Sequence, residues 1–512
     1  MQEMESIVYL YAGSNTSWAF NKIFNNKDAL ELDISWALSV KDAKAVVLSC
    51  CRDDKRFFEE RCSSDVKLRI LDDITDLSIL KDMVDCAAEY KVDTVIYTKA
   101  DKPFLDVSLT EKLLEYHEKY MAEYTFADGY PVGFAPEVIN AGTLNILTEF
   151  ALKKEVYDSF IFDLISKDIN SYEVETYIAP KDYRYLRLDF SCSTKSKYLS
   201  CVNLYNAAVK KSIDFNVSSL SDLSEKDSDI QCTVPAFYNV QICSSYNSKG
   251  IYNPYLEDSS LKDMDYDLFC NFLHQSEMLS KSAVVSLSAW GEPLLHKDFI
   301  PFVKAVCDIK DFFVLIETDG TLVTEELVKN ICDVCGENAK KIIWIVYLDA
   351  YTELMYKKIR KDGDYQRAKD SIPLLVKYFG SNVYPQFTRM NDNEEELESF
   401  YRFYHEKSSP SKGNVIIQKY DNFCGLLPDK KPADLSPVHR YPCWHLKRDM
   451  VILCNGDVPY CKDQMDKNII GNVFDLGVAE VWFKQRAMVI EHIRENYNDK
   501  CRNCDECYTF NF

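Results

Sequence analysis

Cysteines crowd the last part of this sequence and restrict what that part can fold into. Six of the 19 cysteines lie between positions 443 and 507, where an even spread would put roughly two. The string CRNCDEC at 501–507 has two residues between successive cysteines. Two thiols at this spacing can bind one metal ion from a single turn of backbone, and thiolates bind soft metals well. The pattern therefore predicts a metal site in the tail.

A second pair of cysteines in the same region is separated by a predicted β-hairpin. Cys443 is followed after twelve residues by Gly456 and, after four more, by Cys461. A hairpin that turns at 455–456 would bring these two thiols together. Four metal ligands can then be drawn from two segments, whose candidates are Cys443, Cys461, Cys501, Cys504 and Cys507. Two neighbouring side chains are expected to pack or to face solvent instead of binding metal: Cys454 and His445.

The charge and the N-terminal segment of the chain exclude several classes of partner. Its 512 residues carry 60 Lys and Arg against 81 Asp and Glu, and the net charge of -21 repels nucleic acid and anionic membranes. The N-terminal segment has acidic residues where a signal peptide needs basic ones, and its apolar run is too short to span a membrane. We therefore predict a cytoplasmic protein that binds neither nucleic acid nor membrane. In a reducing compartment its cysteines would bind metal or pack in the core.

Short β-rich runs alternate with helical stretches along two parts of the chain, which predicts the α/β class. In the first part the runs lie at 6–10, 44–49, 67–71 and 93–98, a rhythm typical of a doubly wound parallel sheet. Between 239 and 390 the same alternation returns and predicts a second parallel sheet or partial barrel.

A polar stretch rich in Ser and Asp separates the two alternating parts. We interpret this stretch, 217–232, as the main linker, because it contains few apolar residues. The predicted domains are then 1–216, a central domain at 233–434, and a small cysteine-rich domain at 435–512.

The tail resembles the SPASM domain, the C-terminal auxiliary-cluster domain of many radical SAM proteins. In that family a Cys is followed, after a gap, by a Gly. A second Cys comes after four further residues, and a Cys pair follows later. The matching residues here are Cys443, Gly456, Cys461, Cys501 and Cys504. Cys507 comes sooner than the family places its next cysteine, and no cysteine follows it. The resemblance implies one [4Fe-4S] cluster, and a structural Zn²⁺ stays as the alternative because four thiolates also suit zinc.

The central segment, 233–430, resembles a radical SAM domain in the motifs at its strand ends. Residues 291–293 match the last three positions of the family's Gly-Gly-Glu-Pro motif, and Trp290 stands at the first Gly. Other motif positions hold Glu317, Asp319, Asp349 and Arg360. The resemblance implies a partial (β/α) barrel. It also makes Glu292 a candidate cofactor-binding residue, whose alternative role is to cap the end of its strand.

The three cysteines that bind the catalytic cluster of radical SAM enzymes are missing from this segment. Their positions hold Tyr246, Gly250 and Asn253, none of which can donate a thiolate. Cys243 lies three residues too early to replace the first of them, and one thiol cannot hold the cluster. We therefore expect no radical cleavage of S-adenosylmethionine and no role for S-adenosylmethionine as a cofactor.

The first domain resembles the sugar-nucleotide and cytidylyl transferase family. Residues 12–14 are similar to the start of the family's phosphate loop. Lys27 is similar to the Lys that precedes the next helix of the family, and residues 99–114 are similar to its metal-carboxylate segment. The resemblance implies Asp101 and Lys27 as catalytic candidates, with Mg²⁺ on Asp101 and a nucleotide or nucleotide-sugar as ligand. The loop keeps one Gly and lacks its basic residue, which favours binding without catalysis over turnover.

The order of the three domains resembles that of the spirochaete-restricted spiro-SPASM proteins, and the tail string RYPCWHLKRDMVILCNGDVPYC and the terminal YTFNF add to the match. Our first hypothesis is a metal-binding pseudo-enzyme that binds an unidentified protein or small molecule. The second is a nucleotidyl- or glycosyl-type transferase that acts through the first domain with Mg²⁺. A zinc-bound interaction scaffold is a further alternative.

Overall fold

The computed structural model describes residues 5–13, 18–151, 156–254, 263–433, 440–464, 468–497 and 504. The chain divides into two units, Met1–Thr233 and Val234–Phe512. Within the described residues, every helix lacks the combination of length and apolar composition that crossing a bilayer requires.

The first unit contains a sheet of seven strands: β1 (Ser6–Gly13), β2 (Ala43–Cys51), β3 (Val66–Leu71), β4 (Thr94–Lys99), β5 (Tyr124–Asp128), β6 (Glu137–Asn140) and β7 (Val174–Ile178). Their order is β3-β2-β1-β4-β6-β5-β7, and β6 runs antiparallel to both neighbours. The order of the first four strands is that of a doubly wound sheet. Residues 6–11 of β1 are all buried, which explains why this run is apolar on both faces.

Nine helices accompany this sheet in the described residues: α1 (Ala29–Ser39), α2 (Lys55–Glu59), α3 (Asp76–Tyr90), α4 (Val107–Lys119), α5 (Ala141–Leu147), α6 (Phe160–Ile165), α7 (Lys195–Lys211), α8 (Val217–Lys226) and α9 (Ser228–Gln231). Short 3₁₀ turns lie at Trp18–Phe20, Arg52–Asp54, Ser166–Ser171 and Arg184–Leu186. A capping box between Asp28 and Glu31 fixes the start of α1, because each side chain accepts a hydrogen bond from the other residue's backbone N–H.

The segment interpreted as a linker is helical, so that prediction is wrong. Residues 217–232 form α8 and α9, and their apolar side chains Leu220, Leu223 and Ile230 are buried in the core of the first unit. Asn216 caps α8 by accepting a hydrogen bond from the backbone N–H of Ser219. The Ser and Asp residues of this stretch cap helices and cover one face of them, while a narrow apolar face is buried.

The second unit contains a parallel sheet of seven strands: β8 (Phe237–Val240), β9 (Ala283–Ser286), β10 (Phe312–Thr318), β11 (Ile342–Tyr347), β12 (Val383–Arg389), β13 (Ile416–Lys419) and β14 (Asp449–Ile452). The order is β13-β12-β11-β10-β9-β8-β14. A separate antiparallel pair consists of β15 (Asp457–Pro459) and β16 (Ile469–Asn472). The six strands β8 to β13 follow one another in space as in sequence, which is the arrangement of a half-barrel.

The helices of the second unit are α10 (Tyr266–Ser280), α11 (Phe299–Cys307), α12 (Glu325–Cys335), α13 (Glu353–Ile359), α14 (Tyr365–Phe379), α15 (Leu397–His405), α16 (Trp444–Arg448), α17 (Val473–Leu476) and α18 (Val478–Ile493). Its 3₁₀ turns lie at Pro293–Leu295, Gly336–Lys341, Glu394–Glu396 and Lys462–Gln464. The predicted separate domain at 435–512 is not separate, because β14 extends the half-barrel sheet by pairing with β8. The predicted turn at 455–456 is present, and Gly456 adopts a φ of 86° there.

Gly291 explains why the strand-end motif keeps a glycine. A Cβ atom at this position would lie 1.8 Å from the carbonyl oxygen of Cys243, so only glycine allows the two backbones to approach this closely. Two hydrogen bonds, one on each side of Gly291, keep the two backbones close. The Gln241 side chain donates to the carbonyl oxygen of Trp290 at 3.1 Å, and the backbone N–H of Glu292 donates to the carbonyl oxygen of Ser245 at 2.8 Å. These hydrogen bonds fix the chain after β9 against the loop after β8.

Candidate metal centre

Three groups of the second unit meet closely enough to hold a metal. The thiols of Cys424 and Cys504 and a carboxylate oxygen of Asp463 all lie within 4.8 Å of one another. Cys424 belongs to the loop after β13, and Asp463 to the 3₁₀ turn Lys462–Gln464. The Cys504 thiol donates to Asp463 Oδ2 at 3.9 Å. These distances suit the ligand shell of a metal or a cluster.

Two more thiols border this group. Burial raises the pKa of the Cys461 thiol well above its ordinary value, and the adjacent Asp463, Cys504 and Cys443 raise it further. Cys443 is 3% exposed and precedes α16, and its backbone N–H donates to Nδ1 of His492 at 3.4 Å. Cys461 therefore has Cys443, Cys504 and Asp463 as electrostatic neighbours beside this group.

Of the five predicted ligands, Cys504 belongs to the group whose atoms lie within 4.8 Å of one another, and Cys461 lies near enough to Cys443 and Cys504 for their charges to add to the rise in the pKa of its thiol. Cys501 and Cys507 lie outside the described residues. Cys454 is buried, and its backbone N–H donates to Gln241 Oε1 at 3.3 Å. His445 Nδ1 pairs with Asp449 Oδ2 at 2.7 Å.

Cys424 is a member of the thiol group that sequence reasoning missed. It stands between Phe423 and Gly425, upstream of the dense cysteine region, and has no second cysteine at a ligand spacing. A hydrogen bond with the Cys504 thiol and burial raise the pKa of Cys424. A bound metal stabilises thiolates, so it offsets the cost of ionising buried thiols such as Cys504. The donor set of the group therefore fits an iron–sulfur cluster or zinc.

The loop after β8 holds the positions of the missing catalytic cysteines, and it is closed by Arg360. Gly250 forms a β-bridge with Arg360. A Cβ atom at Gly250 would lie 2.4 Å from Asn253 Oδ1 and 3.5 Å from Arg360 Cζ. Side chains therefore fill the place where a thiol at position 250 would extend.

Arg360 is held by a buried polar network. Its guanidinium lies 3.8 Å from the carboxylate of Asp349, and both side chains are at most 2% exposed. It donates to the hydroxyl oxygens of Tyr252 and Ser248, and those hydroxyls donate to Asp349 and Asp319. Burial raises the pKa of Asp349, and the Arg360 charge opposes that shift. The motif positions therefore form an internal ion-pair network around the loop.

Glu292 accepts its hydrogen bonds from neighbouring residues of the half-barrel. Thr318 Oγ1 donates to its Oε1 at 2.9 Å, and the backbone N–H groups of Asp319 and Leu294 donate at 3.0 and 3.2 Å. Burial and the charge of Asp319 raise the pKa of Glu292 to about 8. This arrangement corresponds to the strand-end cap among the two predicted roles.

In the first unit, Asp101 follows β4 and is buried, and its Oδ1 accepts no hydrogen bond from the described residues. Lys99 Nζ lies 3.8 Å from Asp101 Oδ2, and Asp158 lies 3.7 Å from both Lys99 and Lys102. Burial raises the pKa of Asp101, and Lys99 opposes the shift. Lys27 lies with its side chain exposed in the turn that it closes with Phe24. Ser14 of the predicted phosphate loop lies outside the described residues.

Comparisons with known proteins agree with this geometry. The SPASM family, an iron-sulfur cluster-binding domain, matches residues 443–507. An "Uncharacterized protein" of Treponema pallidum (strain Nichols) is 36% identical over 370 residues, which make up 69% of this chain and 99% of that protein. The chain belongs to the spiro-SPASM family. The SPASM match places the tail thiols of this spiro-SPASM chain in an iron–sulfur-binding domain.

Two further comparisons concern other parts of the spiro-SPASM chain. The spore coat polysaccharide biosynthesis protein SpsF of Bacillus subtilis (strain 168) is 25% identical over 151 residues, 30% of this chain and 62% of that protein. A crystal structure of BtrN in complex with AdoMet and 2-DOIA shares 20% identity, with a TM-score of 0.35, over 54% of this chain and 94% of that one. The predicted α/β class and the SPASM tail are confirmed: the described residues of each unit form a seven-stranded sheet with helices, and the SPASM family matches residues 443–507.

The half-barrel of the spiro-SPASM chain contains a cavity of about 400 Å³. Asn239 and Ser286 face each other across the β8–β9 pair and both line it. Asn239 Oδ1 and Ser286 Oγ are buried and have no hydrogen-bond partner among the described residues. Aromatic side chains form other parts of the wall, and they include Tyr246, Trp290, Tyr347 and Phe423. A cavity with aromatic walls and unpaired polar atoms is suited to a small polar molecule.

Proposed function

We propose that this protein binds a single [4Fe-4S] cluster through its tail thiols, and that its half-barrel binds a small polar molecule without cleaving S-adenosylmethionine. One observation carries the proposal. The Cys504 thiol lies within 4.8 Å of the Cys424 thiol and of a carboxylate oxygen of Asp463, and its charge acts on the Cys461 thiol, whereas the three cluster positions of the half-barrel hold no thiol. Cluster chemistry is thus supported in the tail and not at the half-barrel loop.

The described tail thiols supply ligands for the cluster. Cys443 and Cys504 are 3% and 6% exposed, so water has little access to their thiols. His492 accepts the backbone N–H of Cys443 and contacts the Tyr460 hydroxyl at 3.2 Å, which fixes the backbone before α16. When bound, the cluster would supply one-electron chemistry or a structural cross-link. The protein's part is to hold the thiols together and to exclude solvent.

The half-barrel loop supports the loss of radical chemistry. A catalytic cluster requires three thiolates and space for iron between them. Here Tyr252 and Arg360 pair beneath the loop, and Gly250 is bridged to Arg360. Restoring one thiol would not be enough, because Arg360 and Asn253 border position 250.

The half-barrel cavity supports a binding role. A buried hydroxyl or amide without a partner costs about 1–3 kcal/mol, which a ligand or water that fills the cavity recovers. Ser286 Oγ and Asn239 Oδ1 are two such atoms on adjacent strands. Two pairs of opposite charge lie on the wall, Arg448 with Asp449 and Lys462 with Asp421. We therefore favour a ligand without large net charge that carries hydroxyl or amino groups.

Incubation with S-adenosylmethionine tests the proposed loss of chemistry. We expect the anaerobically reconstituted and reduced protein to form no more 5′-deoxyadenosine than the same protein after its metal has been chelated, because the half-barrel cannot hold the catalytic cluster. The nucleoside is measured by liquid chromatography. Formation of about one equivalent per chain, absent after chelation, would refute this part of the proposal.

A second function, nucleotide binding by the first unit, is supported by the buried Asp101. Its Oδ1 has no hydrogen-bond partner among the described residues, so it could bind Mg²⁺ without breaking a contact. Lys99 and Lys102 lie close by and could neutralise phosphate oxygens. The relative SpsF is named for spore coat polysaccharide biosynthesis. We rank transferase activity second, because Lys27 is exposed in a turn.

A thermal-shift series separates the two functions. If the first unit binds nucleotide, CTP or UTP with Mg²⁺ at 100 times the dissociation constant should stabilise it by about 2.7 kcal/mol. Asp101→Asn should remove the shift, and Asp222→Asn, at a partly exposed carboxylate of the same unit, should keep it. The absence of a shift with every nucleotide would count against the second function.

A further inference from the structure

We infer that Cys424, a residue of the half-barrel loop, is a ligand of the cluster bound by the tail. The inference rests on the proposed cluster and adds a ligand that lies outside the matched SPASM segment, 443–507. Cys424, Cys443, Cys461 and Cys504 would then complete the four thiolates of one [4Fe-4S] cluster.

The inference rests on the distances from the Cys424 thiol to its neighbours. Cys424 Sγ lies within 4.8 Å of both Cys504 Sγ and a carboxylate oxygen of Asp463. Gln464 Nε2 donates to Cys424 Sγ at 3.4 Å, so the thiol points toward the turn that follows Cys461. A cysteine that belonged to the half-barrel core would instead be surrounded by apolar side chains.

The backbone of the loop directs this thiol. Phe423 and Cys424 both have positive φ, at 51° and 55°, which non-glycine residues rarely adopt in succession. Asp421 Oδ1 accepts the N–H of Phe423 at 2.7 Å, and Asn422 O accepts the N–H of Leu427 at 3.0 Å. The loop therefore holds a strained conformation in which Cys424 faces the tail thiols. Strain of this kind persists where the surrounding structure fixes it, and functional sites are common examples.

The chemical step balances without an added oxidant. On cluster binding, the Cys424 thiol would lose its proton to solvent and its sulfur would bind one iron of the cluster, whose oxidation state would not change. The same bond would attach the cluster to the wall of the half-barrel cavity, because Asp421 and Phe423 line it. Lys462, which is adjacent to Cys461, pairs with Asp421 at 3.2 Å and makes a second link. Cluster loading would then order this wall.

Metal analysis of single variants tests the inference. Cys424→Ala, Cys424→Ser and the control Cys332→Ala are purified without oxygen beside the wild-type chain. Cys332 is a partly exposed thiol of α12 in the same unit. We expect Cys424→Ala to keep less than about half of the wild-type iron, and Cys424→Ser to shift the electron paramagnetic resonance spectrum of the reduced protein. The Cys332→Ala chain should match wild type in both measurements.

Hydrogen exchange of residues 420–427 is the second readout, and it works even if a variant keeps part of its iron. Wild-type protein with cluster should protect these amides more than the same protein after chelation, and the Cys424 variants should lose that difference. Wild-type iron and spectrum in both Cys424 variants would overturn the inference and leave the proposed cluster intact. A wild-type chain without iron and sulfide would instead refute the proposed function.

Discussion

Replacing Cys443 and Cys461 together by alanine is expected to abolish metal binding and to expose the tail to protease. Binding at a four-thiolate site contributes on the order of 10 kcal/mol, which is comparable with the net stability of a domain. The two residues flank β14 and β15, so the loss of both thiols removes the cross-link that closes this segment. Visible absorbance of the purified protein and limited proteolysis followed by mass spectrometry measure the two effects.

A matched double change controls for the loss of buried sulfur alone. Cys243 and Cys454 are also buried thiols of the second unit, and they lie just beyond the ends of β8 and β14. Their replacement by alanine should leave a cavity and cost stability, but should keep the absorbance. If the Cys443→Ala/Cys461→Ala chain retained wild-type absorbance, the proposed ligand set would be wrong.

Replacing Arg360 by alanine is expected to destabilise the second unit by about 3–5 kcal/mol, the usual cost of removing one partner of a buried ion pair. Asp349 is fully buried. In the variant its carboxylate would still accept the hydrogen bond from the Tyr252 hydroxyl, but it would have lost the ion pair with Arg360. Tyr252 and Ser248 would also lose the guanidinium that donates to them. Chemical denaturation monitored by fluorescence gives the change in the free energy of unfolding.

Two variants distinguish this ion-pair effect from a general effect of removing arginine. Arg402 pairs with Glu398 on the surface, where both side chains are 76% exposed, and Arg402→Ala should cause no measurable change. Arg360→Ala/Asp349→Asn removes both charges, so it should be less destabilised than Arg360→Ala alone. Equal stability of Arg360→Ala and wild type would show that the network does not hold the loop.

The sequence was sufficient to predict β1 to β4 of the first sheet and β8 to β12 of the second. The apolar runs at 6–10 and 93–98 became β1 and β4, because strands of a parallel sheet are buried on both faces and show near-continuous apolar residues. The same signal gave the central strands, such as β10 and β11. The strand-end motifs also had a physical cause, since Gly291 is required where two backbones meet.

The two main wrong predictions, the linker and the separate tail domain, concerned features that amino-acid composition does not show. The segment 217–232 is polar on average, but Leu220 and Leu223 lie one helical turn apart and bury one face. The segment 435–512 contains β14, a short apolar strand whose partner β8 is distant in the sequence. Neither local periodicity nor composition identifies a pairing of that kind.

The candidate site was only partly predictable, because the fold brings together residues that are distant in the sequence. Cys443, Cys461 and Cys504 follow a recognisable spacing, whereas Cys424 approaches Cys504 only through the fold of the second unit. A single cysteine without a neighbour at a ligand spacing is more often a core residue. The network around Arg360 was predicted only as motif positions, because its hydrogen bonds depend on the conformation of the loop after β8.

The proposed cluster is tested by measuring iron, acid-labile sulfide and zinc in wild-type protein purified without oxygen. We expect about four iron and about four sulfide per chain, with little zinc, because the described thiols suffice for one [4Fe-4S] cluster. One zinc per chain without sulfide would replace the cluster by a structural ion and contradict the proposed function. Protein that is folded and contains neither metal would contradict the tail site altogether.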